Sequence, residues 1–134
     1  MRHPGMISIA LVLLATPTVA GAAPTPRLVC AIVDVYDCSS GECTNVQSEV
    51  VGVPDLVRLD GSGKKMTALD PEFAGLTTTF ESMKDEGTKT TARAREGDRS
   101  LVLEVDDESG DARLTVSDAK LALVAYGECS RAAE

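Results

Sequence analysis

Along most of the chain apolar and polar residues alternate with a period of two, the pattern of half-buried strands. It is strongest from Ser100 to Asp106 and from Asp111 to Ser117, where Leu101, Leu103 and Val105 can face Ala112, Leu114 and Val116 on a shared core side. Asp107-Glu108-Ser109-Gly110 between them has turn composition, so the pair reads as a hairpin. Thr88 to Arg95 alternates as cleanly, with Thr90, Ala92 and Ala94 on one face and a basic stripe of Lys89, Arg93 and Arg95 on the other. Leu76 to Met83 precedes it across an expected turn at Lys84-Asp85-Glu86-Gly87. Leu56 to Asp60 and Lys65 to Leu69 flank Asp60-Gly61-Ser62-Gly63, whose glycines supply the positive φ of tight hairpins.

Two further segments are apolar on both faces. Arg27 to Asp37 is rich in β-branched residues and free of Gly and Pro, which favours a strand covered on each side. Strict alternation puts Val29, Ala31, Val33 and Val35 on one face and Cys30, Ile32, Asp34 and Tyr36 on the other. Lys120 to Gly127 is the second such strand, while Thr44 to Pro54 is too weakly patterned to assign. No helical period of useful length occurs after the N-terminal region. About eight short strands joined by polar turns predict an all-β antiparallel meander, a closed lipocalin-like barrel ahead of a sandwich, with the first and last strands antiparallel neighbours.

The N-terminus has another character. Arg2 and His3 precede an apolar run from Met6 to Ala15, followed by Pro17 and the small residues Val19 to Ala23, the layout of a signal peptide. The run is about half the roughly 20 residues a membrane span requires. Cleavage is expected after Ala22, with Ala20 as a second register, giving a 1–22 signal segment, a single 23–134 domain, no membrane anchor, and a secreted or periplasmic product. Cleavage would discard His3, the only histidine, and with it the imidazole most catalytic and metal sites use.

All four cysteines lie downstream of that segment and so meet an oxidising compartment. In a meander, Cys30 at the start of the first strand and Cys129 past the end of the last come together, which predicts a Cys30–Cys129 bridge. Cys38 and Cys43 then clip the turn after the first strand.

Charge narrows the function classes. Against 13 basic residues stand 21 acidic ones, and only Arg2 is lost with the leader, so the mature charge is about −9, which repels nucleic acid and anionic lipid. Two Phe, two Tyr and no Trp leave little for sugar or base stacking. G-x-S-x-G is absent, and nothing points to an enzyme, a cofactor or a metal. The carboxylates Asp106, Asp107, Glu108 and Asp111 do not have EF-hand spacing and read as a solvated tip. Asp60 to Lys65 lacks the P-loop spacing. Asp34, beside Tyr36 in an apolar strand, is a candidate ligand contact if that face is interior.

The Asp60 to Lys64 turn resembles the serine-glycine loop of a small periplasmic family of lysozyme inhibitors, without the Tyr that comes after it there. Over the mature length the chain resembles short bacterial secreted proteins of unknown function with a C-x7-C pair, a nearby third Cys and a closing strand ending in Y/F-G-x-C, here Cys30, Cys38, Cys43 and Tyr126-Gly127-Glu128-Cys129. The resemblance implies secretion and disulfides and assigns no activity. The expected function is an exported, non-enzymatic binding or accessory domain that holds a small apolar ligand on interior faces around Val33, Leu103 and Leu123. The alternative is an envelope accessory or inhibitor protein that meets a protein partner through its hairpin loops, at Ser62, Lys64, Asp107 and Asp111.

Overall fold

The computed structural model describes residues 27–132. The expected signal segment, residues 1–22, lies outside them. In chain order the strands are β1 (Leu28–Asp37), β2 (Thr44–Val46), β3 (Leu56–Asp60), β4 (Lys65–Ala68), β5 (Thr77–Thr79), β6 (Ser82–Glu86), β7 (Lys89–Glu96), β8 (Arg99–Asp106), β9 (Asp111–Ser117) and β10 (Ala122–Arg131). The helical content among the described residues is one 3-10 turn, Pro71–Phe73. Nine strands run laterally in the order β5-β4-β3-β1-β10-β9-β8-β7-β6, every neighbour antiparallel, and β2 adds to β1. The protein is thus an all-β antiparallel sheet, curled into a half-barrel.

The lateral ends of the sheet are consecutive in sequence. Phe80 N–H donates to the Lys64 carbonyl at 2.7 Å and Glu81 N–H donates to the Arg93 carbonyl at 2.8 Å. Within two residues the chain therefore passes from pairing with β4 to pairing with β7. The Thr78 hydroxyl, buried on β5, strengthens the junction by donating to Glu96 Oε1 at 2.9 Å.

The expected strand from Leu76 to Met83 is split at this corner into β5 and β6. Its expected turn contracts to Gly87-Thr88, because Lys84 to Glu86 pair with Lys89 to Thr91 and Gly87 takes φ +70° to make the short reversal. The unassigned stretch from Thr44 to Pro54 yields β2 and a loop that buries Val53. The closing strand, expected over Lys120 to Gly127, runs instead from Ala122 to Arg131 and so contains Cys129; the other expected strands form within a residue of their expected ends, with Leu101, Leu103 and Val105 opposite Val116, Leu114 and Ala112, all buried.

One assignment of faces is corrected. Val33 is 67% exposed, because the register of β1 against β10 shifts between Ile32 and Asp34. A β-bulge there inserts one residue and reverses the sidedness of the remainder of the strand. Cys30 and Ile32 face the core before the bulge and Val35 after it, while Asp34 and Tyr36 turn outward. Gly127 opposite Ile32 permits the bulge, since a Cβ at that position would collide with the Ala31 carbonyl oxygen.

Cys30 is bonded to Cys129 and Cys38 to Cys43, at sequence separations of 99 and 5. Disulfides persist in oxidising compartments and are rare in the cytosol, so both bridges point outside the cytoplasm. No helix among the described residues is long and apolar enough to cross a membrane.

In the chain-entropy account, closing about 100 residues contributes roughly 4.7 kcal/mol and closing about six roughly 2 kcal/mol. Replacing Cys30 and Cys129 by Ser should lower the thermal midpoint at least twice as far as replacing Cys38 and Cys43; equal shifts would refute this ranking. Gly127→Ala, whose new methyl meets backbone that cannot step aside, should cost about 1–3 kcal/mol in urea unfolding.

Candidate functional site: the mouth between the hairpin turns

The β3–β4, β6–β7 and β8–β9 turns all lie at the end of the sheet where β1 begins and β10 finishes, with Leu28 registered against both Leu59 and Arg131. They enclose an open cavity of about 650 Å³. Its floor is apolar, formed by the partly buried Leu28 and Met83 over the core residues Leu59 and Val105 beside Cys129, and its rim carries Lys64, Asp85, Asp107, Glu108 and Arg131. The floor exists because the inward positions of β1, β3 and β8 are apolar to the end that faces the mouth, and on β6 Met83 is apolar while the next inward residue, Asp85, reaches the rim.

Elsewhere the interior is filled. Between the sheet walls, Cys30, Val57, Met66, Leu103 and Leu114 surround a void of only about 20 Å³. A second opening, about 160 Å³, lies at the far end against Val53, Leu76 and Leu123. An interior ligand site around Val33, Leu103 and Leu123 therefore does not form as a unit. Val33 is outside on the bulge, Leu103 is packed in the core, and Leu123 faces the smaller opening.

Asp34 and Tyr36 lie on the outer face. Asp34 is exposed with Asn45 Nδ2 at 3.5 Å, and the Tyr36 and Tyr126 rings meet edge to face at 6.0 Å. The loop residues are drawn together. Lys64 and Asp107 line the same mouth, Ser62 is exposed on the same turn as Lys64, and Asp111 starts β9 beside it without lining the cavity. Missing from the sequence expectation are Leu28, Met83, Asp85 and Arg131. Asp85 falls in an expected turn but belongs to a strand, and Leu28 and Arg131 reach the mouth only because the first and last strands pair.

The acidic residues divide by role. Asp60 accepts from the Ser62 hydroxyl at 2.8 Å, and Asp106 accepts the N–H groups of Glu108 and Ser109 at 2.9 and 3.0 Å. At the far end Asp37 accepts from Ser39, and Asp118 from the N–H groups of Lys120 and Leu121. These bonds to the charged form hold all four carboxyls below their ordinary range: the Ser62 and Ser39 hydroxyls act first for Asp60 and Asp37, the turn amides for Asp106 and Asp118. Asp107 accepts from the Thr90 hydroxyl at 2.9 Å. Ion pairs among the described residues join Lys89 to Glu104, Arg113 to Glu104 and Arg99 to Asp118, and none uses Lys64, Arg131, Asp85 or Glu108. Lys64 is also the one described non-glycine residue at positive φ, 51°, a conformation a side chain adopts at a cost of about 1–2 kcal/mol.

No group of three or more His, Cys, Asp and Glu among the described residues is placed to hold a metal ion. Comparison with family models, curated proteins and solved structures found no match.

The turn carboxylates fix the sign of the pH response. Their folded pKa values are depressed, so their contribution is complete above the ordinary carboxylate range and is lost as pH falls through and below it. The urea midpoint should hold from pH 7 to about 5 and decline from about pH 4 downward. In the Asp60→Asn, Asp106→Asn double variant, which keeps an acceptor oxygen in each turn, the decline should be shallower; an unchanged acid limb would show that these two carboxylates are not its source.

Proposed function

We propose that the protein is an exported, non-enzymatic binding domain, secreted or periplasmic, whose curled sheet works as a lipocalin-like barrel open at one end and takes a small apolar ligand at that mouth. The observation that carries this reading is the apolar floor beneath a charged rim in a cavity of about 650 Å³. Binding pockets for small molecules commonly span about 300–1,000 Å³ and combine apolar walls with a few polar groups that orient the ligand. The leader-like N-terminus, the two disulfides and the likeness to four-cysteine secreted proteins support export. The absence of histidine after the leader supports a role in binding rather than catalysis.

A second reading is favoured by the gathering of three turns at one end. Exposed Ser62 and Lys64 on one turn and Asp107 and Glu108 on another could meet a protein, as in an envelope accessory or a lysozyme-inhibitor-like domain. The ligand reading ranks first because a protein contact made by turn tips has no need of an apolar cup beneath them.

Titration with an uncharged naphthylamine dye, whose emission rises in apolar surroundings, tests the choice. The wild-type protein should bind it saturably. Met83→Glu, which sets a carboxylate on the floor, should weaken binding at least about tenfold with the thermal midpoint held within a few degrees. Leu76→Glu, at the far opening, should leave affinity unchanged. Absent binding, or equal loss in both variants, would remove the mouth as the ligand site.

A further inference from the structure

We infer that the ligand of the mouth is a short apolar peptide with both termini free, laid along the open edge of β6. The inference rests on the mouth being a binding site and names what that site selects. Three features converge there.

The first is the edge. Among the described residues β6 has β7 on one side and no strand on the other, so the backbone groups of its free edge have no partner in the sheet. Met83 and Asp85 of that strand line the mouth. An extended peptide pairs with such an edge through its main chain and sends alternate side chains to one side. Here the side chains sent inward would meet Leu28 and Met83, backed by the core residues Leu59 and Val105, the second feature. The strand is five residues long, which limits a paired peptide to about that length.

The third feature is the division of charge. Lys64 and Arg131 belong to the half of the sheet formed by β4, β3, β1 and β10, whereas Asp85 and Glu108 belong to the half formed by β9, β8, β7 and β6. All four are outside the ion pairs of the described residues, while Asp106 and Asp107 beside them already accept hydrogen bonds. A fatty acid would use only the cationic half and an alkyl amine only the acidic half. A peptide with an apolar middle uses both, its ammonium toward Asp85 and Glu108 and its carboxylate toward Lys64 and Arg131.

The test is displacement of the neutral dye from the oxidised protein by an Ala-Leu-Val-Leu-Ala peptide in four forms: free, N-acetylated, C-amidated and blocked at both ends. The free form should bind best, each block should cost about threefold or more, and N-methylation of the central amide should cost at least as much. Lys64→Glu should erase the penalty for amidation and Asp85→Lys the penalty for acetylation, with displacement in each variant referred to that variant's own dye affinity. Equal binding of the four forms overturns the inference while the mouth stands as an apolar site. Dye binding with no displacement by any form also overturns it and points to a non-peptide ligand. If the dye itself fails to bind, the proposed function fails as well.

Discussion

β1 lies between β3 and β10, and without it no strand pairing would join the β3 to β5 meander to the β6 to β10 meander. Every other pairing in the nine-strand order joins consecutive strands, so the loop-closure cost of this fold is concentrated in the docking of β1. The Cys30–Cys129 bridge acts on that step, tying β1 to β10 across a separation of 99 residues. At the opposite margin the same two meanders are joined by ordinary chain, Phe80-Glu81, bonded to Lys64 on one side and Arg93 on the other. A strand at one seam and a two-residue corner at the other make the curl, and both act on the walls of the mouth. Cys129 lines it directly, and β6 begins immediately after the corner.

The bulge at Val33 decides what the two faces of β1 present. Before it, Cys30 and Ile32 serve the core; after it, Val35 does, and Asp34 joins an outer row in which Glu104 and Arg113 are paired and Arg113 lies beside Tyr126. Without the inserted residue, Asp34 would point inward with Cys30 and Val35 would point out. The sequence therefore tolerates an acid in an apolar strand by a backbone irregularity, and Gly127 is the residue that makes room for it.

How much of this is readable in the sequence depends on the range of the signal. Hairpins are local, so the alternation in Leu101 to Val105 and Ala112 to Val116, and the glycine turns beside them, identify the strands and their register. The cysteine pairing is legible because a meander with its ends together leaves one long-range partner for Cys30. The bulge is not legible, since Arg27 to Asp37 is apolar on both faces and has no phase to break, and the room for the bulge comes from a glycine on another strand. The corner at Phe80-Glu81 is hidden for a similar reason: one continuous run serves two sheet edges. The mouth is half legible. Its turns are named by Gly, Ser and Asp, but their convergence with Leu28, Met83 and Arg131 is a property of the lateral order.

Acidic composition alone could not distinguish a site from scaffolding, because most of the turn carboxylates are structural. Asp37, Asp60, Asp106 and Asp118 each close a turn by accepting from groups two or three residues ahead, at both ends of the sheet. What separates the ends is cover. At the far end the Ser48–Pro54 loop lowers Val53 into the core, the Cys38–Cys43 bridge clips the neighbouring turn, and the opening against Val53 and Leu123 is about 160 Å³. At the mouth Leu28 and Met83 stay only partly buried over the core residues Leu59 and Val105, although the turns there are built from the same residue types. The chain places Lys64 and Glu108 in those turns and Asp85 on β6, and leaves Leu28 and Met83 within reach of a ligand.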